Sequence, residues 1–382
     1  MKRKVLFVIE SLSGGGAEKV LASLIQNFDY SKYEVTVCSI VDVGKYKKVI
    51  KQHANYCYII PDANGQSLFL KIWVSIIYKL FYYLLPISWA YNFFIPKGFD
   101  IEVAFVEGFV TKLISNKRFS INSPLSRKIA WVHCDLMEYP WPVETKIYKN
   151  LEEEKKAYSQ FDKIVVVSES SKKHFVEIYG NAERTHCIYN PVDKAEILAL
   201  ATEPVDCQRK TKFRFIAIGR LTEVKGFDRL IEAASRLHND GLEFELWILG
   251  EGPECNMLNN LCSRLKVQDN IKFLGFQINP YKYLAQCDCF VCSSRTEGYS
   301  LVIAEAMIIG LPVISTRCAG PEEILSGSRF GIMVDNSTNG IYEGMKEILL
   351  RTNLSDLIAL SKERARGFDL KKTMDKVYKI IG

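Results

Sequence analysis

The chain has 382 residues, of which 48% are hydrophobic and 25% are charged, and its formal net charge is +6. This composition is typical of a globular protein, and the length favours two domains over one. Eleven cysteines without the spacing of a disulfide scaffold indicate reduced thiols in a cytoplasm. The chain carries no long basic run or recognition motif, which disfavours nucleic acid as a partner.

Hydrophobic runs that suit parallel strands alternate with helical patterns in the first half of the chain. The pattern predicts a strand over residues 4–9, a glycine-rich turn, a helix over 19–28 and a strand over 35–40, which form a β-α-β unit. Further strands are predicted at 101–105, 128–132 and 163–167. The first apolar run is too short for a signal peptide, so we expect a cytoplasmic protein.

The second half of the chain repeats this alternation. Strands are predicted at 213–218, 244–249, 271–273, 289–292 and 313–314. Strands that alternate with helices form parallel sheets, so the two halves predict two doubly wound α/β domains. We place the boundary after Pro191, where that proline and the polar stretch 202–211 interrupt the pattern, which gives domains of residues 1–195 and 196–365.

Two carboxylates, Glu297 and Glu305, lie on either side of seven residues that are first glycine, then polar and then apolar. Residues 289–292 predict a buried strand and residues 301–308 a helix, so Ser300 would cap the helix and Glu297 would lie in the preceding loop. A helix start can hold phosphate, and carboxylates can accept hydrogen bonds from sugar hydroxyls. The arrangement suits a nucleotide sugar, although two glutamates alone would favour a solvated loop residue and a partly exposed helix residue.

Other candidate ligand-binding residues also follow predicted strands. Arg220 and Lys225 come after the strand at 213–218, and two cations at a sheet edge suit a diphosphate. The glycines at 14–16 follow the first strand and would let the backbone approach a ligand closely. They do not complete a dinucleotide fingerprint, because Lys19 stands where that fingerprint needs glycine, so NAD binding is disfavoured.

Together these motifs resemble the retaining glycosyltransferases of family 4, which carry a Glu-x7-Glu motif in such a loop and helix. Many members also begin with a Gly-Gly-Ala-Glu loop, as found here at residues 15–18. The resemblance implies the GT-B architecture, in which two Rossmann-like doubly wound domains face each other across a cleft. In that architecture the last helix, here within residues 366–382, often crosses back to the first domain.

The resemblance implies a role for each of four catalytic candidates. Glu297 would hold hydroxyls of the donor sugar, and His133, at the end of a predicted strand, would hydrogen-bond the same sugar. Arg220 and Lys225 would steady the leaving diphosphate, which itself helps to deprotonate the acceptor hydroxyl on the same face of the sugar. No metal and no other cofactor are expected, and the role of the neighbouring Asp135 is left open.

The remaining candidates would bind the donor nucleotide, again by resemblance to the family. Glu305 would hold the ribose, and the amides of Ser300 and Leu301 would hold the diphosphate. The backbone near Ile278 would meet the nucleobase, for which uracil is the expected partner. The two remaining candidates, Gly15 and Gly16, would lie over the donor phosphates and face the acceptor.

Residues 68–99 of the first domain form the most hydrophobic stretch of the chain, interrupted by Lys79, Pro86 and Pro96. No apolar run of about 18 to 20 residues survives these interruptions, so a membrane span is not expected. Aromatic residues with lysines are typical of interfacial helices, although helices packed on the sheet would also fit. The first interpretation predicts a peripheral protein on the inner face of the plasma membrane, in contact with anionic lipid.

We therefore expect a retaining enzyme that transfers a hexose or N-acetylhexosamine from a UDP-sugar to a glycan acceptor linked to a lipid of the undecaprenyl-diphosphate type. Assembly of a surface polysaccharide such as capsule or O-antigen is the expected setting. One open alternative is another GT-B enzyme, such as a sugar-nucleotide epimerase or a phosphorylase. The other is a non-enzymatic membrane-associated scaffold, which is disfavoured because the site residues are all present.

Overall fold

The chain divides into two units in the computed structural model, which describes residues 2–65, 67–119, 126–206, 211 and 213–382. The first unit comprises Met1–Pro191 together with Lys371–Gly382, and the second comprises Val192–Leu370. Residues 207–210, part of the polar stretch used to place the predicted boundary, lie outside the described residues.

The first unit is built on a sheet whose neighbouring strands are all parallel in the described residues. In chain order the strands are β1 (Arg3–Ile9), β2 (Tyr33–Val41), β3 (Asn55–Ile60), β4 (Ile101–Ala104), β5 (Arg127–Val132), β6 (Lys163–Val166) and β7 (Thr185–Cys187). Their order across the sheet is β3-β2-β1-β4-β5-β6-β7. The strand order reverses between β1 and β4, which makes that pair the topological switch point of the sheet.

Helices pack on the faces of this sheet, and most of them bury apolar residues against it. They are α1 (Gly16–Gln26), α2 (Lys47–His53), α3 (Leu68–Lys79), α4 (Ile87–Phe94), α5 (Phe109–Ile114), α6 (Trp141–Glu144), α7 (Leu151–Tyr158) and α8 (Glu169–Tyr179). A π-helical turn over Leu80–Leu84 follows α3 directly. In α1 the buried residues Val20, Leu21 and Leu24 recur at helical spacing, which explains why this segment is a helix with one face on the sheet.

The second unit repeats this architecture with a second parallel sheet. Its strands are β8 (Arg214–Ile218), β9 (Glu245–Leu249), β10 (Ile271–Gly275), β11 (Cys289–Cys292), β12 (Val313–Thr316) and β13 (Ile332–Val334), in the order β10-β9-β8-β11-β12-β13. Its helices are α9 (Lys194–Ala201), α10 (Phe227–Asn239), α11 (Cys255–Arg264), α12 (Tyr281–Leu284), α13 (Leu301–Ile309), α14 (Ala319–Leu325), α15 (Thr338–Leu350) and α16 (Ser355–Ala365). The switch point of this sheet lies between β8 and β11.

The final helix, α17 (Leu370–Ile381), belongs to the first unit although the second unit precedes it in the chain. The three apolar positions noted in the sequence, Met374, Val377 and Ile380, are buried. On the same helix the ring of Tyr378 stacks on that of Tyr33 in β2, with ring centroids 5.7 Å apart. This helix therefore completes the core beneath one side of the first sheet.

Three strands, β3, β7 and β13, were not predicted from the sequence. Each lies at an edge of its sheet, with a neighbouring strand on one side only. The predicted helix over residues 19–28 also needs correction, because α1 already begins at Gly16 and ends at Gln26. The glycine run is thus divided between a loop and the first turn of a helix.

Candidate functional site

The loop between β11 and α13 carries the first of the two predicted glutamates. Ser300 occupies the N-cap position of α13 with extended backbone, but its side chain makes no capping hydrogen bond. The prediction that Ser300 caps the helix is therefore wrong for the side chain and correct for the position. The amides of the first turn, starting at Leu301, keep the positive end of the helix dipole without a serine cap.

Glu297 forms an ion pair with Lys225, whose Nζ is 2.5 Å from Glu297 Oε1. The hydroxyl of Ser294 donates to the same carboxylate oxygen at 3.3 Å. Burial lowers the pKa of the Lys225 ammonium, but the charge and hydrogen bond of Glu297 outweigh this effect, so the pKa is raised. Lys225 is held as a cation beside the carboxylate, and the structure brings together two residues that the sequence separates by 72 positions.

The loops after β8 and β11 are fastened to each other around this pair. Lys225 ends a 3-10 turn, and Gly226 follows it with a positive φ of 63°. A Cβ at Gly226 would lie 2.2 Å from the carbonyl oxygen of Ser293, so a side chain cannot be accommodated there. The hydroxyl of Ser293 donates to the carbonyl of Lys225 at 2.8 Å, which ties the backbone of one loop to the other.

A second charge pair holds the same two loops in register. Arg295 donates from Nη1 and Nη2 to the two oxygens of Asp228, at 2.8 and 2.6 Å. Such a bidentate contact fixes orientation as well as distance. The sequence did not indicate this pair, because Asp228 lies in α10, 67 residues before Arg295, and no local spacing connects the two residues.

Glu305 lies within α13, as the sequence predicted, and only 2% of its surface is exposed. The hydroxyl of Tyr281, at the start of α12, donates to Glu305 Oε1 at 3.4 Å. Tyr281 ends the loop after β10, and Ile278 in that loop is 86% exposed. The structure therefore connects the helix that carries Glu305 with the loop expected to meet the nucleobase.

Arg220 is exposed and follows β8 in the same loop as Lys225. The backbone of this loop is held to the end of β9, since the amide of Gly219 donates to Leu249 at 3.0 Å. Gly250 has a φ of 138°, and a Cβ there would lie 1.8 Å from the carbonyl oxygen of Gly219. The close approach of two backbones fixes the position from which the Arg220 side chain extends.

Gly15 and Gly16 are at the start of α1 in the first unit. Gly15 is the N-cap residue, with φ −82° and ψ 179°, and Gly16 is the first residue of the helix. A Cβ added at Gly16 would meet no atom within 4 Å, so the space above this helix start is open. The preceding Gly14 has a φ of 117°, which favours glycine at that position.

His133 follows β5 in the first unit. Its Nε2 is 3.0 Å from the carbonyl oxygen of Phe105, and a carbonyl only accepts, so Nε2 carries the proton and Nδ1 the lone pair. Burial lowers the pKa of the imidazole to about 4, which makes it neutral at physiological pH. The nearby Asp135 accepts a hydrogen bond from His174 Nδ1 at 2.7 Å and one from the amide of Met137. Asp135 is thus engaged in holding local structure.

Residues 68–94, hereafter the apolar segment, consist of α3, the π-helical turn and α4. One side packs into the core of the first unit through Phe81 and Tyr91, which are fully buried. The other side exposes large apolar side chains, including Leu68, Phe69, Ile72, Trp73, Ile76, Tyr83, Leu84, Trp89 and Phe93. The buried side agrees with helices packed on the sheet, and the interfacial interpretation stays a prediction. In the part of the chain that the structure describes, no helix has the length and apolar character to span a membrane.

Within the described ranges, no three histidine, cysteine, aspartate or glutamate side chains are grouped so that they could bind a metal ion. The strand cysteines Cys289 and Cys292 are buried in β11.

Two family models match the chain. The model described as Glycosyl transferases group 1 matches residues 212–351, and the model described as Glycosyltransferase Family 4 matches residues 14–196. The first match lies in the second unit and the second lies almost entirely in the first unit, and each includes residues of the candidate site.

Similar curated proteins are also glycosyltransferases. The N-acetylgalactosamine-N,N'-diacetylbacillosaminyl-diphospho-undecaprenol 4-alpha-N-acetylgalactosaminyltransferase of Campylobacter jejuni is 28% identical over 387 residues, which cover 100% of both chains. An uncharacterized glycosyltransferase of Methanocaldococcus jannaschii is 36% identical over 227 residues, or 56% of this chain. A lipopolysaccharide core biosynthesis glycosyltransferase of Rhizobium meliloti is 33% identical over 195 residues, or 50% of this chain. The chain spans about half the length of the last two proteins, 53% in each case.

Solved structures share the fold across almost the whole chain. Anabaena HepE in complex with UDP and glucose superposes with a TM-score of 0.72 at 20% identity and covers 99% of both chains. TarM of S. aureus, in a complex that contains UDP, superposes with a TM-score of 0.74 at 13% identity and covers 100% of both chains. These similarities show the fold of the two units.

Proposed function

Because this chain belongs to the GT-B glycosyltransferases of the family 4 type, we propose that it transfers a hexose or N-acetylhexosamine from a UDP-sugar to a lipid-linked saccharide, with retention of configuration. The observation that carries the proposal is the Lys225–Glu297 pair beside the start of α13. It combines a cation for a diphosphate, a carboxylate for sugar hydroxyls and a helix start for phosphate oxygens.

In the proposed reaction the bond between the donor sugar's C1 and the diphosphate oxygen breaks as the acceptor hydroxyl bonds to C1 on the same face. The leaving phosphate oxygen takes the hydroxyl proton. Arg220, Lys225 and the first amides of α13 stabilise the negative charge that develops on the diphosphate. Glu297 holds the sugar hydroxyls, and its ion pair keeps the Lys225 ammonium in place. No metal or other cofactor takes part in this proposal.

The nucleotide contacts of the proposal lie on α13 and on the loop after β10. Glu305 holds the ribose, with the Tyr281 hydroxyl fixing one of its oxygens. The backbone around the exposed Ile278 meets uracil, and the amides of Ser300 and Leu301 meet the diphosphate. For the residues of the first unit, Gly15, Gly16 and His133, we propose the roles toward the donor that the family resemblance implies.

Two observations support a lipid-linked acceptor of the undecaprenyl-diphosphate type. The Campylobacter relative, similar over its full length, acts on a diphospho-undecaprenol saccharide according to its name. The apolar segment exposes a row of aromatic and aliphatic side chains that suits the interface of a bilayer. We therefore propose a peripheral enzyme on the inner, anionic face of the plasma membrane that assembles a surface polysaccharide such as a lipopolysaccharide or O-antigen.

Donor binding and product analysis test this proposal. Calorimetry with UDP-glucose, UDP-galactose, UDP-N-acetylglucosamine and UDP-N-acetylgalactosamine should show binding of at least one donor. EDTA should leave the rate of transfer unchanged. NMR of the product should show the same anomeric configuration as the donor. An inverted product would exclude retention, and conversion of the donor into its epimer without acceptor would identify an epimerase. Absence of binding to every UDP-sugar would favour the non-enzymatic scaffold.

A further inference from the structure

A carboxylate that the reaction above does not use lies at the switch point of the first sheet. Glu10 directly follows β1, the strand at which the sheet order reverses, and its side chain is half-buried. In open parallel sheets, ligands bind outside the carboxyl ends of the strands at this point. Glu10 also precedes the glycine run at 14–16, so it stands at the entrance of the loop already assigned to ligand binding.

The hydroxyl of Tyr82 donates a hydrogen bond to Glu10 Oε1 across 72 residues of chain. Tyr82 lies in the π-helical turn of the apolar segment, and such turns are frequent at functional sites. Its ring also packs on Phe109, with centroids 4.5 Å apart, and Phe109 begins the helix that follows β4. Tyr82 thus contacts the residues after both strands that flank the switch point.

The surroundings of Glu10 are aromatic. Tyr78 also packs on Tyr82, with ring centroids 4.4 Å apart. Burial raises the pKa of the Glu10 carboxyl, and the Tyr82 hydrogen bond lowers it in part. The pKa of the Tyr82 phenol is raised as well, by burial and then by the charge of Glu10. A carboxylate held at the carboxyl end of a strand under these conditions is typical of a functional site.

Chemistry and position together indicate the ligand of this pair. A carboxylate with one oxygen bound to a phenol retains capacity to accept hydrogen bonds from hydroxyl groups. Aromatic rings beside it suit the apolar faces of a sugar ring. The next residues along the same turn, Tyr83 and Leu84, are 74% and 72% exposed. A single turn therefore presents a polar contact on its inner side and an apolar surface on its outer side.

We propose that Glu10 and Tyr82 form the binding subsite for the sugar that accepts transfer, with the lipid of the same acceptor on the exposed side of the apolar segment. The Glu10 carboxylate accepts a hydrogen bond from a hydroxyl of that sugar, and Tyr82 fixes the orientation of the carboxylate. This inference rests on the proposed function and deepens it, because it assigns residues to the acceptor.

Kinetics with a lipid-linked acceptor test the subsite. Glu10→Gln removes the charge at constant size, and Tyr82→Phe removes only the hydroxyl. The acceptors are undecaprenyl-diphosphate-linked N-acetylhexosamine mono-, di- and trisaccharides in detergent micelles. We expect each variant to raise the KM for the acceptor about tenfold, as for loss of a hydrogen bond to a charged group. Calorimetric affinity for UDP should stay at the wild-type value, since UDP does not touch this subsite.

Matched control variants separate a loss of acceptor binding from a general effect of the same chemical change. Glu34→Gln and Tyr58→Phe make the same chemical changes at exposed positions on β2 and β3, and both should leave the acceptor KM unchanged. An unchanged acceptor KM in Glu10→Gln and Tyr82→Phe would overturn the subsite, as would an equal loss of UDP affinity. A wild-type protein that binds UDP-sugars but transfers to none of these acceptors would instead overturn the lipid-linked acceptor, and the subsite with it.

Discussion

The two sheets carry different chemistry at equivalent places, the loops that follow the strands at each switch point. In the second unit these loops are joined by charge, through Lys225 with Glu297 and Arg295 with Asp228. In the first unit the corresponding residues are joined by an aromatic side chain, since Tyr82 contacts both Glu10 and Phe109. We call the loops after β8 and β11 the charged edge, and Glu10, Tyr82 and Phe109 the aromatic edge. The charged edge suits a compact anionic ligand, whereas the aromatic edge suits a ligand that is partly apolar.

The comparison also concerns rigidity. Bidentate and backbone contacts determine the geometry of the charged edge before any ligand arrives, which reduces the entropy lost on binding. The aromatic edge lies beside the exposed face of the apolar segment, where large side chains remain in contact with solvent. We expect substitutions at the charged edge to affect the chemical step and the donor, and those at the apolar segment to affect membrane binding.

The largest effect is expected from Glu297→Gln, which removes a charge from the centre of the charged edge. Loss of the sugar contact and of the Lys225 partner should lower kcat about 100-fold or more, because small misplacements at a reacting centre cost that much. Steady-state transfer at saturating donor measures it. The control is Glu347→Gln on α15, a carboxylate that also pairs with a cation but at an exposed site. Equal kcat in wild type and Glu297→Gln would contradict the assignment.

A smaller effect, mainly on donor binding, is expected from Glu305→Ala. This residue is assigned to the ribose, so its loss should weaken UDP and UDP-sugars alike by about tenfold, as for a hydrogen bond to a charged group. Calorimetry with UDP alone isolates the nucleotide. If Glu305→Ala bound UDP like wild type while losing turnover, its role would lie with the transferred sugar and the two glutamates would have to exchange assignments.

An effect of similar or slightly smaller size is expected on membrane binding when the apolar segment is changed. Leu84→Ser removes one exposed leucine and should weaken binding to anionic vesicles about tenfold, given the transfer free energy of one such side chain. Vesicle sedimentation measures the partition coefficient. Leu350→Ser is the control, because Leu350 is 63% exposed but lies on α15 of the second unit. Equal losses in the two variants would contradict a specific role of the apolar segment in membrane binding.

The smallest expected effect is that of His133 on the pH dependence of the melting temperature. Its imidazole stays neutral in the folded state down to about pH 4, whereas in the unfolded chain it takes a proton near pH 6.5. The unfolded state therefore gains protons first as the pH falls through this window, which destabilises the folded state. His133→Gln should reduce the drop in melting temperature between pH 7 and pH 5 by about 2 to 4 °C.

The exposed His53 at the end of α2 provides the control for this measurement. His53→Gln should leave the drop in melting temperature unchanged. If His133→Gln steepened the drop, the imidazole would have to be charged in the folded state, and its assignment as a neutral side chain would fail.

The interior strands could be predicted from the sequence because both of their faces are buried, so their residues form continuous apolar runs such as those of β8 and β11. Of the edge strands, β10 was predicted over residues 271–273, whereas β3, β7 and β13 lack this signal. β3 carries an exposed asparagine, one exposed tyrosine and one partly exposed tyrosine, while β7 and β13 have only three residues each. Each is placed in its sheet by pairing with the strand that precedes it in the chain, β2, β6 or β12, and its own few residues do not show that pairing.

The candidate site shows a similar division. Glu297 and Glu305 lie in one short motif, so their spacing alone placed them in a loop and a helix. The contact of Tyr82 with Glu10 depends on the order of strands in a sheet, which no local spacing records. The same holds for the Arg295–Asp228 pair. At Ser300 the residue type correctly indicated a helix start, but the conformation of the loop decided that its hydroxyl would not cap it.

The position of α17 has a consequence for the order in which the chain folds during synthesis. The second unit is continuous from residue 192 to 370, so it can fold once its own residues have left the ribosome. The first unit is interrupted by the second, and Tyr33 in β2 cannot stack on Tyr378 until almost the entire chain has been synthesised. The unit that is translated first is therefore the last to be completed.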